Sequence, residues 1–149
     1  MSYYKQLFTL LYFLTFQTVH AQNNYDNWSS ACNDANTTVE MTQCHYKQRE
    51  IADSLMLDCY AKVMAVLNKD LEKAELNSEP EFIEWYSDFK IDLVEGQKHW
   101  GKMTGSDASF TANLSKGGSM SNMTIHITYT NQTYKRLEVL EGFLEYLTL

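Results

Sequence analysis

Little in this chain of 149 residues points to catalysis, a cofactor or a lipid phase. Its apolar run Leu7 to Phe16 (LFTLLYFLTF) is well short of the ~20 residues that a membrane-spanning helix needs. Basic residues are scarce: 12 Lys+Arg face 19 Asp+Glu, for a net charge of −7. That balance argues against a nucleic-acid or anionic-membrane partner and favours a basic one. Catalytic signatures are also missing. There is no G-x-S-x-G elbow, no glycine-rich dinucleotide turn and no cysteine in a nucleophile context. Lys116-Gly117-Gly118-Ser119 lacks the Walker spacing and its Lys-Ser/Thr pair. His45, His99 and His126 stand in no metal-binding spacing with one another or with a cysteine. The expectation is therefore no enzyme, no metal and no cofactor.

What is present begins with a leader. Lys5, the apolar core Leu7 to Phe16 and Val19-His20-Ala21 have the anatomy of a secretory signal peptide with cleavage before Gln22. Residues 22–149 would then form one domain with a charge of 11 − 19 = −8, since Lys5 is the only charged residue removed. Export to an oxidising compartment, periplasmic or extracellular, favours a disulfide among Cys32, Cys44 and Cys59. Cys32 precedes the expected first helix, so a flexible lead-in can fold it back onto Cys44. Cys59 shares a helical phase with Ile51, Leu55 and Val63 and reads as a buried free thiol, the alternative being a dimer-forming cysteine.

The remainder is mostly helical in period. Gln22 to Asn36 is polar and reads as an extended lead-in. Thr37 and Glu40 form a capping box, and Cys44, Ile51, Leu55, Cys59, Val63, Val66 and Leu67 recur on one face of a helix over about 38–69, with a break near Asn77. Ser78-Glu79-Pro80-Glu81 offers a second capping box. Phe82, Trp85, Tyr86, Phe89, Leu93 and Trp100 then mark a second helix over about 80–102, and a stripe of aromatics at this spacing reads as core. Gly101 to Ser121 is rich in Gly, Ser and Thr and reads as one long loop, the first place to look for a binding element. Met123, Ile125, Ile127 and Tyr129 alternate as a strand would, whereas Leu137, Leu140, Leu144 and Leu147 follow a helical period. A lone strand would have no partner, so one helix over about 120–147 is expected. The fold class is all-α: three main helices in an antiparallel bundle, one disulfide, and a long loop between helices two and three.

These residues also carry a resemblance. Cys32, Glu40-Met41-x-x-Cys44, Ala52-Asp53 with Leu57 and Tyr60, Gln97-x-x-Trp100, Gly117-Gly118-Ser119 and Thr133-x-x-Arg136-x-x-x-Leu140 follow one another as in the LprI-type lysozyme inhibitors, small exported bacterial proteins. The likeness covers nearly all of residues 22–149. Met56 and Leu57 stand where the family has Leu-Asn, Thr104 replaces an arginine, and a second cysteine pair is absent at both of its positions. Its joint absence supports pairing Cys32 with Cys44 and leaves the 101–121 loop less restrained.

The resemblance implies an exported, non-enzymatic protein that binds and occludes a basic lysozyme. The acidic surface would steer the encounter, and the loop would enter the carboxylate-lined cleft; the chemistry of the loop itself, not the resemblance, nominates Lys116 and Ser119 as contacts. Gly117 and Gly118 would serve either that insertion or a tight turn, with Ser119 capping the last helix. Asp53, Tyr60, Gln97, Trp100 and Arg136 have complementary polar chemistry and read as a buried cluster that fixes helix packing, or else as direct target contacts. A different class remains alongside: a periplasmic helical interaction module whose protein partner is not a lysozyme.

Overall fold

The computed structural model describes residues 28, 30–115, 118 and 120–149, and these fold into three α-helices with no strand among them. The expected leader and its cleavage site lie outside the described residues. The helices are α1 (Thr38–Asn77), α2 (Pro80–Leu114) and α3 (Ser121–Thr148). Among the described residues, no helix is long and apolar enough to cross a membrane.

α1 starts as its sequence dictates. Thr37 Oγ1 accepts from the Glu40 N–H at 3.2 Å, and Glu40 Oε2 accepts from the N–H groups of Thr37 and Asn36 at 3.1 and 2.9 Å. The described part of the lead-in, Trp28 and 30–36, is not extended as expected. It coils through turns in which Ala31, Asn33 and Ala35 donate to the carbonyls of Trp28, Ser30 and Cys32. A disulfide joins Cys32 to Cys44 across 12 residues, and Trp28, buried, stacks on Tyr134 of α3.

α1 ends at Asn77 because Ser78 adopts the left-handed conformation (φ 58°), with its N–H on Glu75 O and that of Glu79 on Ala74 O. Ser78 therefore closes α1 instead of opening α2. The second capping box does not form; Glu79 is the N-cap of α2 without a side-chain bond, and Pro80 fills the first turn.

The buried face of α1 is rotated from the expected one. Ala52, Met56, Cys59, Val63, Leu67 and Ala74 are buried, whereas Ile51 and Leu55 are exposed. Met56, Cys59, Val63 and Leu67 form the core with Leu93 of α2 and Leu137 and Leu140 of α3, edged by Tyr60, Tyr86, Phe89, Trp100 and Phe143. Cys59 is free and buried, and burial, with Glu141 adding to it, pushes its thiol up from the ordinary range.

The long loop expected over 101–121 is mostly helix. α2 continues to Leu114 because Thr104, Ala108 and Ala112, four residues apart, bury a narrow stripe that pays for the poor helix propensity of its neighbours. Ser106 and Thr111 return their hydroxyls to the carbonyls of Lys102 and Asp107, so these side chains do not compete with the helix. Only residues 115–120 connect α2 to α3. The alternating segment 123–130 is likewise helical, as expected.

α1 packs most extensively on α3. Along that interface Tyr46 meets His126, Arg49 meets Tyr129 and Asp53 meets Thr133. Between α2 and α3, Asp107 meets Gln132, Gln97 meets Arg136 and Phe89 meets Phe143.

Candidate functional site

Polar side chains meet in two neighbouring groups at the middle of the helices; of the residues expected to cluster, Gln97 and Arg136 bond to each other and Asp53 bonds to other partners. In the first, Asp53 Oδ1 accepts from Thr133 Oγ1 at 3.1 Å, and Asp53 Oδ2 lies 3.5 Å from Arg49 Nε. Arg49 stands one turn before Asp53 on α1, and its guanidinium carbon rests 3.9 Å above the centre of the Tyr129 ring, a cation–π contact. In the second, Gln97 bridges all three helices. Its Oε1 accepts from Arg136 Nε at 2.9 Å, and its Nε2 donates to Met56 Sδ at 3.1 Å.

One turn separates Asp53 from Met56 on α1 and Thr133 from Arg136 on α3, so the two groups are consecutive rungs of one polar seam. Burial lowers the Arg136 pKa from its usual value, while Tyr60 pulls it the other way by favouring the charged form. Gly96 lies beside this arginine: a Cβ there would stand 3.7 Å from Arg136 Nη2. Gly105 gives the Tyr129 hydroxyl its room, since a Cβ would approach it to 3.2 Å.

Trp100 edges the core, and its Nε1 is buried without a hydrogen-bond partner. Tyr60 also packs against the core. Cys32 and Cys44 are joined some two turns before the seam begins. The seam thus uses Asp53, Gln97 and Arg136 directly and touches Tyr60 through charge, whereas Trp100 belongs to the core. Arg49, Thr133 and Tyr129 are the members that reasoning by residue type did not assign to it. Arg49 was accessible through its i,i+4 spacing to Asp53.

Three threonines, Thr104, Thr130 and Thr133, are fully buried along the same interfaces. Thr130 donates to its own helix at His126 O (2.9 Å), but the Thr104 hydroxyl has no partner. Toward the disulfide, burial lowers the pKa of His45. It also lowers that of His126, with Arg49 and His45 adding repulsion. The Nδ1 atoms of both are buried without a partner. No group of His, Cys, Asp and Glu side chains among the described residues could hold a metal ion.

Of the expected contact residues, Lys116, Gly117 and Ser119 lie outside the described residues. Gly118 donates its N–H to Ser115 O at 2.9 Å and accepts from the Ser121 N–H at 3.3 Å. Ser121 Oγ reaches across the connection to Ala112 O at 3.2 Å. The N-cap of α3 is Met120, not Ser119, and makes no side-chain cap bond. Phe110, Leu114 and Met120 near the connection are more than half exposed, and Met103, about 18 Å further back along α2, shares the face of Phe110 and Leu114.

The Asp53–Thr133 and Gln97–Arg136 contacts account for four of the polar positions on which the sequence resemblance rests. No curated protein and no solved structure matches the chain. A family model described as Lysozyme inhibitor LprI matches residues 29–140, which include every residue of the seam and both cysteines of the disulfide. The chain belongs to the LprI lysozyme inhibitor family.

Proposed function

We propose that residues 22–149, exported by the leader 1–21 to the periplasm or beyond the cell, act as a lysozyme inhibitor that occludes its target and catalyses nothing itself. The family membership carries this reading. Two features of the molecule support it. The acidic surface attracts a basic enzyme over distances comparable to the Debye length. The helix ends that flank the connection carry exposed Phe110, Leu114 and Met120, an apolar flank suited to desolvation on contact, and the connection itself contains Lys116, Gly117, Gly118 and Ser119.

In this mechanism the three helices form an antiparallel bundle that presents the turn at one end. The falling α2 numbers that pair with rising α3 numbers support that arrangement. The seam of Asp53, Gln97 and Arg136 holds the helices in register, so the ends of α2 and α3 that flank the connection are set before binding. Lys116 would pair with the carboxylates of the target's cleft and Ser119 would hydrogen-bond within it.

The test is a cell-wall lysis assay in which the purified protein is titrated against c-type, g-type and i-type lysozymes at low and physiological salt. Stoichiometric inhibition of one class, weaker at higher salt, is expected. No inhibition of any class at large molar excess would contradict the proposal. A helical interaction module with a non-lysozyme partner is the second reading, favoured by an exposed aromatic groove at the other end of α2.

A further inference from the structure

That groove lies where α2 begins and α3 ends. It has a volume of about 500 Å³ and is lined by Glu81, Phe82, Trp85, Tyr86, Tyr146 and Leu147. The sequence places Phe82 and Trp85 in the core, but they are 54% and 40% exposed, and Tyr146 is 59% exposed. Trp85 is nonetheless held in place. Its ring meets Tyr86 at 4.8 Å and Phe89 at 5.6 Å, and Phe89 in turn meets Phe143 at 5.4 Å. A fixed indole with an open side is a binding platform that needs little ordering on contact.

The segments of α2 and α3 that line the groove are acidic. Residues 79–89 contain Glu79, Glu81, Glu84 and Asp88 and no basic residue; residues 137–149 contain Glu138, Glu141 and Glu145 and again none. The ion pairs Arg49–Asp53, Lys62–Asp58 and Lys98–Glu95 leave Glu79, Glu81, Glu84 and Asp88 aside. The Tyr86 hydroxyl is raised by burial and then by Asp70 and Glu79, which places acidic groups of α1 and of the α1–α2 turn around it as well. α1 and α3 both end here, and neither has a basic residue in its last turn to meet its terminal carbonyls. The start of α2 opposes a cation, and Glu79 and Glu81 offset it.

We propose that this groove docks an arginine-bearing segment of a basic protein, with the guanidinium stacked on Trp85 and paired with Glu81. Glu84, one turn further along α2, adds to the attraction. Arginine is favoured over lysine because its planar, weakly hydrated group stacks on an indole and pairs with a carboxylate at once. The 35 residues of α2 put about 50 Å between the groove and the 115–120 turn. The inference therefore stands without the lysozyme reading.

Anisotropy of a fluorescein-labelled octa-arginine peptide, titrated with the purified protein, tests it, with octa-lysine and octa-glutamate as comparisons. Saturable binding of octa-arginine is expected, about tenfold weaker for Trp85→Ala and for the double variant Glu81→Gln/Glu84→Gln. The double variant changes exposed side chains only and keeps the packing intact. Removing the same charge near the disulfide (Asp34→Asn/Glu50→Gln) should shift affinity less than about twofold, because screening confines the effect to nearby charges. Lysine should bind more weakly than arginine, and a change in residues 116–119 should leave binding unaltered. Equal binding of octa-lysine, equal losses from the two double variants, or undiminished binding by Trp85→Ala would overturn the proposal.

Discussion

The two halves of this molecule are held together differently. Toward the disulfide, the helices meet through small and polar side chains: Ala52, Thr104, Ala108, Thr130 and Thr133, laced by the Arg49–Asp53–Thr133 and Gln97–Arg136 contacts. Toward Pro80 they meet through Met56, Cys59, Val63, Leu67, Leu93, Leu137 and Leu140, with rings along the edge. The first arrangement fixes register, because each hydrogen bond has one geometry and small side chains let backbones approach. The second supplies most of the free energy, because large apolar side chains remove more surface from water. The proposed binding connection at the first end and the open aromatic groove at the second fit this division.

Substitutions can separate the two contributions. Leu140→Ala, at a site with no exposure, should destabilise the protein by about 2–5 kcal/mol in urea unfolding. Cys32→Ser with Cys44→Ser should cost about 2–4 kcal/mol, because the bridge closes a loop of 12 residues in the unfolded chain. That loss should also appear as freer solvent quenching of Trp28, which packs beside the bridged segment.

Within the polar half, two threonines should respond with opposite signs. Thr133→Val removes the donor to Asp53 and should cost about 1 kcal/mol. Thr104→Val removes a buried hydroxyl with no partner and should stabilise by about 1 kcal/mol. A stability loss in both would show that the Thr104 hydroxyl is engaged after all.

The smallest effect is pH-dependent and also belongs to the disulfide half. His45 and His126 have pKa values lowered in the fold, so below about pH 6.5 the unfolded chain binds more protons than the native one. Their contribution is complete above that pH and is lost as the pH falls toward their folded values. Tm should decline between about pH 7 and about pH 5, and the His126→Gln variant should flatten that decline.

Local signals were the most legible in the sequence. The Thr37–Glu40 box depends on four consecutive residues and forms as written. The helix over 121–148 prevailed over an alternating pattern, because a strand there would have no partner to bond with. What was hidden depends on tertiary contact. Periodicity weighs large apolar side chains, so it selected Ile51 and Leu55, while a close α1–α3 approach buries Ala52 and Met56. The same preference turned 101–114 into a loop, since Thr104, Ala108 and Ala112 look like loop residues until they are packed. Phe82 and Trp85 erred the other way: their spacing is that of a core stripe, but the first turns of α2 extend beyond the cover that α3 provides.

Inhibition is proposed to reside at the connection 115–120 between α2 and α3. The direct measurement compares lysozyme inhibition by the native protein, by a Leu114→Ser/Lys116→Ala variant and by Trp85→Ala, with helicity followed by circular dichroism. Inhibition should weaken at least about tenfold with the change at the turn, with helicity kept and Trp85→Ala still fully inhibitory. Undiminished inhibition by the turn variant, or its loss with Trp85→Ala alone, would contradict that proposal.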